Sequence, residues 1–138
     1  MKKLLAIIVL GLLMSVNLHA KVIILKECAH RNVPFNPKDY IKNDFKIDTN
    51  KSILQRVRIM TDSYYEDQKK EMMKNFGNTT GLEKIDISEW NIKYFDNRFI
   101  KAKRGSGRFE STWEIDLKNK TGVFKSNMTS GEGLWKCK

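Results

Sequence analysis

The residues best suited to binding chemistry are concentrated between positions 91 and 108. Six side chains in this segment are cationic and only one, Asp96, is acidic. Cationic groups attract phosphate, sulfate or carboxylate groups, and aromatic rings beside them can stack on sugars or bases. We therefore predict a binding site for an anionic partner, formed by Lys93, Phe95, Arg98, Phe99, Lys101, Lys103, Arg104 and Arg108.

The alternation of side chains along two predicted strands decides which of these residues share a surface. If Trp90, Ile92 and Tyr94 face the core, Lys93 and Phe95 face solvent, because successive side chains point to opposite faces. The second strand then presents outward Phe99, Lys101 and Lys103. An edge hairpin that uses lysines to prevent strand addition has the same pattern, so a binding role and a protective role both remain open.

Recognisable catalytic and metal-binding motifs are absent from the sequence. His30 is the only histidine after position 20, so no two-histidine metal motif is possible there. Ser106 lies between Gly105 and Gly107, but arginines occupy the positions two residues away, where a nucleophile elbow has its glycines. We predict that the protein is not an enzyme and uses no cofactor or metal. A carboxylate-dependent hydrolase remains an alternative, because acid–base catalysis by carboxylates need not leave a motif.

Residues 1–20 have the three-part composition of a secretory signal peptide. Lys2 and Lys3 precede an apolar run over residues 4–14, and a more polar segment ends at Ala20. The apolar run is shorter than the ~20 residues that a membrane-spanning helix needs. We therefore predict cleavage after Ala20, no transmembrane span after cleavage, and a periplasmic or secreted location.

The composition of residues 21–138 indicates one basic domain. The 138-residue chain has a formal net charge of +10, and loss of Lys2 and Lys3 with no acidic residue leaves +8. A basic protein outside the cytoplasm favours an anionic glycan, a lipid head group or an acidic protein. Nucleic acid is not an expected partner in that compartment. The sequence does not indicate which oligomeric state the protein has.

Two cysteines, Cys28 and Cys137, lie near the two ends of this domain. In an oxidising compartment, an even pair with no third candidate predicts one disulfide. This bond would place the first and last strands side by side, as closure of a sheet into a barrel requires.

The hydrophobic pattern predicts a mainly β domain with one helix. Period-two alternation between turn residues gives about eight antiparallel strands in a small barrel or sandwich. In one of them, Ile53, Val57 and Ile59 share a face. An amphipathic helix after the third strand spans residues 62–76, and we expect its apolar stripe, which ends at Phe76, to pack on the sheet.

The strand over residues 85–95 changes the face that carries its apolar residues. Ile85 and Ile87 alternate in one phase and Trp90 and Ile92 in the other, which predicts a β-bulge near Ser88. The protein's tryptophans, Trp90, Trp113 and Trp135, are expected to fill the core. If the barrel were hollow instead, the protein could be a small-molecule carrier.

Five short phrases of the chain are familiar: the leader phrase Met1–Leu10 and the internal phrases Ile24–Cys28, Asp44–Lys51, Tyr94–Asn97 and Ile115–Thr121. Together they resemble uncharacterised small exported proteins of streamlined marine alphaproteobacteria. The resemblance implies a periplasmic setting, and it supplies no activity or site residue.

Signal cleavage predicts a defined mature N-terminus. Mass spectrometry of the protein recovered from the periplasm or the medium should find Lys21 as the first residue, because Ala20 provides the small residue that signal peptidase requires. Recovery of a chain that still begins at Met1 in membranes would contradict the predicted location.

Overall fold

Nine antiparallel strands form one sheet in the computed structural model, which describes residues 21–129 and 131–138. The predicted signal peptide lies outside the described residues. The strands are β1 (Val22–Leu25), β2 (Ala29–His30), β3 (Tyr40–Asp48), β4 (Ile53–Met60), β5 (Ile85–Phe95), β6 (Phe99–Arg104), β7 (Ser111–Asp116), β8 (Thr121–Ser126) and β9 (Glu132–Lys136). Helix α1 (Asp62–Phe76) lies between β4 and β5, and a short 3-10 helix spans Gly107–Phe109.

The sheet curls into a half-barrel whose two edges are joined by one N-terminal segment, residues 22–30. The strand order is β1-β3-β4-β5-β6-β7-β8-β9-β2, so the first two strands lie at opposite edges. The chain bends between them at Glu27, which has a positive φ of 49°. The Cys28 amide donates to the Asn43 carbonyl of β3 at 2.7 Å, while Lys26 accepts at 2.9 Å from the amide of Lys138. One segment thereby occupies both edges of the sheet.

The predicted mainly β fold is confirmed, with a single curled sheet as its architecture. The two-residue strand β2 raises the number of strands to nine, and α1 consequently follows the fourth strand. The predicted disulfide between Cys28 and Cys137 is present, and both cysteines are buried. Within the part of the chain that the structure describes, no helix has the length and apolar character that a membrane span needs.

Trp113 lies at the centre of the hydrophobic core. Its ring centroid is 4.7 Å from that of Phe45, 4.9 Å from Phe124 and 6.0 Å from Trp90. A Cβ atom on Gly122 would lie 3.3 Å from the Trp113 ring, so this glycine leaves space for the indole. Trp90 and Trp113 fill the core as predicted, while Trp135 is only half-buried. The largest other fully buried side chains are those of Phe45, Ile47, Leu54, Ile100, Ile115 and Cys28.

Helix α1 covers less of the sheet than its apolar stripe predicted. None of its side chains is fully buried, and Phe76 at its end is 71% exposed. The helix is attached mainly at its start, where the Thr61 hydroxyl accepts from the Tyr64 amide and the Tyr64 ring packs on Tyr40 at 5.3 Å. The expectation of a packed stripe is therefore wrong for the last turn, because the inner face of the sheet is filled by its own side chains.

The apolar residues of two neighbouring strands lie partly on the outer face. Strands β4 and β5 pair without interruption from Ile53 opposite Asn91 to Ile59 opposite Ile85, so the predicted bulge near Ser88 is wrong. Ile85 is 56% exposed. The apparent change of phase arises because apolar residues occupy opposite faces at the two ends of β5.

Removal of the disulfide is expected to lower the free energy of unfolding by about 2–5 kcal/mol. The bond closes a loop with a sequence separation of 109 residues, and a long loop restricts the unfolded chain strongly. Chemical denaturation of a C28S/C137S variant would measure the loss.

Lys138→Gln is the matched control, because it removes the adjacent exposed ion pair with Glu27 and keeps the covalent bond. Its effect should stay within ~1 kcal/mol. An equally stable serine variant would show that hydrogen bonds alone hold the N-terminal segment between the two edges.

Candidate functional site

The predicted basic hairpin consists of β5 and β6, and a register shift between Ile92 and Tyr94 alters its faces. Because Lys93 is the extra residue at this bulge, Tyr94 pairs with Lys101 and shares its outer face, where it is 50% exposed. The expectation that Tyr94 faces the core is therefore wrong. Phe95 pairs with the buried Ile100, so its ring lies on the inner side at the end of the sheet.

Three of the predicted cationic residues meet on the outer face. Lys93, Lys101 and Lys103 line one shallow hollow of about 180 Å³ beside β7, which we call the lysine hollow. Lys101 lies 3.7 Å from a carboxylate oxygen of Glu114, and Lys103 lies 2.7 Å from one of Glu110. Within residues 21–129 and 131–138, Lys93 forms no ion pair. In the described residues, the hollow thus contains one unpaired cation, Lys93, and two cations that each pair with a different, partly exposed carboxylate.

The predicted arginines do not join this hollow. Arg98 binds Asp116 at 3.0 Å and packs on the Phe99 ring. Arg104 lies on the inner face, with its guanidinium carbon 4.6 Å from the centroid of Trp90. Arg108 belongs to the 3-10 helix, where it packs on Phe109. Seven of the eight predicted residues are therefore distributed over both faces and the tip of the hairpin, and Arg108 lies outside it.

Acidic residues of β7 and the chain just before it reduce the net charge of the hairpin. Glu110, Glu114 and Asp116 each pair with one of its cations. All three lie outside the sequence window from 91 to 108, because they belong to β7 or directly precede it. Their partnership depends on the register of β6 against β7, in which Lys101 lies opposite Glu114.

The tip of the hairpin is held by Asp96. Its carboxylate accepts hydrogen bonds from the Tyr94 hydroxyl at 2.6 Å and from the amides of Arg98 and Phe99 at 2.7 and 2.6 Å. These bonds favour the ionised form, the Tyr94 bond most strongly, and lower the pKa of Asp96. The pKa of Asp116 is also lowered, chiefly by its hydrogen bond with Arg98.

A second cationic group lies on the inner face of β4, where the sequence pattern did not predict it. Arg56 and Arg58 share this face with the buried residues Leu54 and Met60. The Arg56 guanidinium carbon lies 4.4 Å from the ring centroid of Trp135. The face that carries Ile53, Val57 and Ile59 is the outer one, so both arginines lie inside the curl of the sheet.

The two inner arginines have different partners. Arg58 donates to an Asp86 carboxylate oxygen at 2.8 Å, while the Arg56 Nε donates to the Asn43 side-chain oxygen at 3.1 Å. Burial, followed by the positive charge of Arg58, lowers the pKa of Arg56 to about 10, although Asp86 and Tyr40 act in the opposite direction. Arg56 thus remains charged near neutral pH and has no carboxylate partner within 4 Å in the described part of the chain.

Of the two inner arginines, Arg56 lines a cavity of about 190 Å³. Residues of the loop between β2 and β3 line it together with Asn43, Arg56 and Trp135. The sequence signal for this site was the spacing of Arg56 and Arg58 in phase with Leu54 and Met60. This spacing identifies the two arginines as inward-facing only when the inner face of β4 is known.

No described group of three or more His, Cys, Asp and Glu side chains is placed to hold a metal ion in residues 21–129 and 131–138. Comparison of the chain with protein-family models, curated proteins and solved structures finds no match.

Substitution Asp96→Asn should remove a pH-dependent contribution to stability. Because the folded state lowers the pKa of Asp96 below its usual 3.8, ionised Asp96 stabilises the fold above that value. This contribution is lost as the pH falls through the folded pKa. The difference in unfolding free energy between wild type and variant should therefore be constant near neutral pH and shrink below about pH 4.

Urea denaturation across the acid range would measure this difference. Asp67→Asn is the control, because Asp67 is an exposed residue of α1 and lacks the three hydrogen bonds that Asp96 accepts. If the stability difference for D96N does not change with pH, the Asp96 hydrogen bonds do not depend on its ionisation.

Proposed function

We propose that the protein is an exported binding module that uses the lysine hollow on an anionic partner of the cell envelope. The observation that carries this proposal is the convergence of Lys93, Lys101 and Lys103 on one open hollow. The disulfide supports an oxidising compartment, periplasmic or extracellular. The predicted signal peptide supports the same location.

The ion pairs of the hollow leave its lysines available to a partner. Glu110 and Glu114 hold Lys103 and Lys101 in pairs whose side chains are all more than one quarter exposed. Such pairs contribute only ~0–1 kcal/mol, because water and salt screen them. A partner's anionic group can therefore replace either glutamate at little cost, and Lys93 needs no such exchange.

An anionic glycan fits this surface better than a lipid head group or an acidic protein. Tyr94 and Phe99 lie on the same outer face and are 50% and 40% exposed. Aromatic rings beside cations can pack on sugar rings while the lysines bind carboxylate, sulfate or phosphate groups. A lipid head group or an acidic protein could also contact the rings, but a sugar offers a flat apolar face for stacking together with anionic groups for the lysines.

Two other functions receive less support. A carrier with a hollow interior needs space that the rings of Trp90, Trp113 and Phe45 occupy. A carboxylate-dependent hydrolase needs a carboxylic acid with a raised pKa. In the described part of the chain, the carboxyl groups whose pKa values are shifted are those of Asp96 and Asp116, and both shifts are downward. Binding without catalysis is the proposal that these observations favour.

A K93Q/K101Q/K103Q variant should lose most of its retention on an immobilised anionic polysaccharide such as heparin. Glutamine removes each charge without placing a new carboxylate beside Glu110 or Glu114. We expect elution at a clearly lower salt concentration than the parent, because exposed charge contacts are screened by salt. Circular dichroism would verify the fold of each variant.

The matched control is K69Q/K70Q/K74Q on α1, which changes the net charge by the same amount on a different surface. It should elute close to the parent. Equal losses in the two triple variants would show that overall charge, rather than the lysine hollow, governs binding. Stronger retention on anionic lipid vesicles than on the polysaccharide would favour the lipid alternative.

A further inference from the structure

The cavity behind the loop between β2 and β3 is separate from the lysine hollow. It lies between that loop and residues of β3, β4 and β9, and its volume is about 190 Å³. The space suits a small organic molecule and excludes a folded partner or a polymer.

Arg56 provides this cavity with unused hydrogen-bond donors. Its Nε is bound to Asn43 and one face of its guanidinium lies over Trp135. In residues 21–129 and 131–138, no side-chain or backbone oxygen accepts from its two terminal nitrogens. These nitrogens form the planar pair of donors that binds a carboxylate through two parallel hydrogen bonds.

The charges around Arg56 favour an added anion. Asp86, on the inner face of the neighbouring strand β5, is bound to Arg58. Asp39 also lines the cavity, but its carboxylate accepts from the Asn36 amide at 2.7 Å, and it forms no ion pair with Arg56. Burial and Arg58 both disfavour the charge on Arg56. An anion bound to its terminal nitrogens would relieve this cost.

The cavity also has apolar lining. Val33, Pro34 and Phe35 of the loop line it, beside Asn36 and Asp39 of the same loop and the ring of Trp135. A ligand that matches both the arginine and the apolar lining has one anionic head group and a compact apolar body. Inorganic phosphate would satisfy the arginine but would leave the apolar lining without a partner.

We propose that this cavity binds a small monocarboxylate with an apolar body, whose carboxylate accepts two hydrogen bonds from the terminal nitrogens of Arg56. The apolar body packs against the loop between β2 and β3. This site is independent of the lysine hollow and of the proposed glycan binding.

Benzoate is a suitable probe, because it combines one carboxylate with a compact ring. In an NMR titration of the full mature protein, benzoate up to about 10 mM should shift the Trp135 indole N–H and the His30 ring signals saturably. Benzamide, which has the same shape without the charge, should bind at least about tenfold more weakly. Phosphate should also bind more weakly than benzoate.

Arg56→Gln should weaken benzoate binding by about tenfold or more, since hydrogen bonds between charged groups are lost. The matched control is Arg104→Gln, which removes another arginine that packs on a tryptophan, outside this cavity. A comparison of Val33→Glu with Val33→Gln avoids any change to the inner face, because Val33 is 68% exposed. The glutamate variant should bind benzoate more weakly than the glutamine variant, through repulsion.

Three results would overturn the proposal: no saturable shift with the wild-type protein, equal binding of benzamide, or tighter binding of phosphate. The K93Q/K101Q/K103Q variant should bind benzoate as the parent does. Loss of glycan retention with unchanged benzoate binding, or the converse, therefore separates the failure of one site from that of the other.

Discussion

The closure of the sheet by the N-terminal segment is the constraint on which the rest of the structure depends. Residues 22–30 pair with β3 on one side and with β9 on the other, and the Cys28–Cys137 disulfide fixes the junction. Without this segment, the curled sheet would have two open edges at β3 and β9. The same closure brings Trp135 towards Phe45 and directs the following loop across the open end of the half-barrel. Core, cavity and sheet edges are thus coupled through one short stretch of chain.

The inner face that this closure creates carries apolar and charged side chains next to each other. Trp113, Phe45 and Ile115 belong to the core, while Arg56 lies directly opposite Phe45 and Arg58 lies opposite Asn43. Two arginines on an inward face oppose the general preference for apolar residues there, because a buried charge loses hydration. Asp86, Asn43 and the face of Trp135 offset only part of that loss. Since apolar residues of similar volume would often make the fold more stable, this arrangement is readily explained by a ligand that completes it.

The outer face illustrates how a sheet redistributes the charge of a sequence segment. The hairpin formed by β5 and β6 is strongly basic along the chain, yet Glu110, Glu114 and Asp116 pair with three of its cations. What remains is a smaller and more defined surface, in which the bulge at Lys93 groups three lysines beside the exposed ring of Tyr94. The charge that a partner meets therefore depends on strand register as much as on composition.

The sequence by itself determined the mainly β class, the helix over residues 62–76, the disulfide pairing and the three lysines of the outer site. These features depend on local periodicity or on there being only two cysteines. The sequence did not determine which face of β4 is buried, the position of the bulge in β5, or the acids that meet the hairpin. Alternation divides a strand into two faces but does not orient them when both carry apolar residues, as Ile53 and Leu54 do in β4. The pairing of β4 with its neighbouring strands decides which face is buried. Arg56 consequently lies inside the protein, where it lines the cavity.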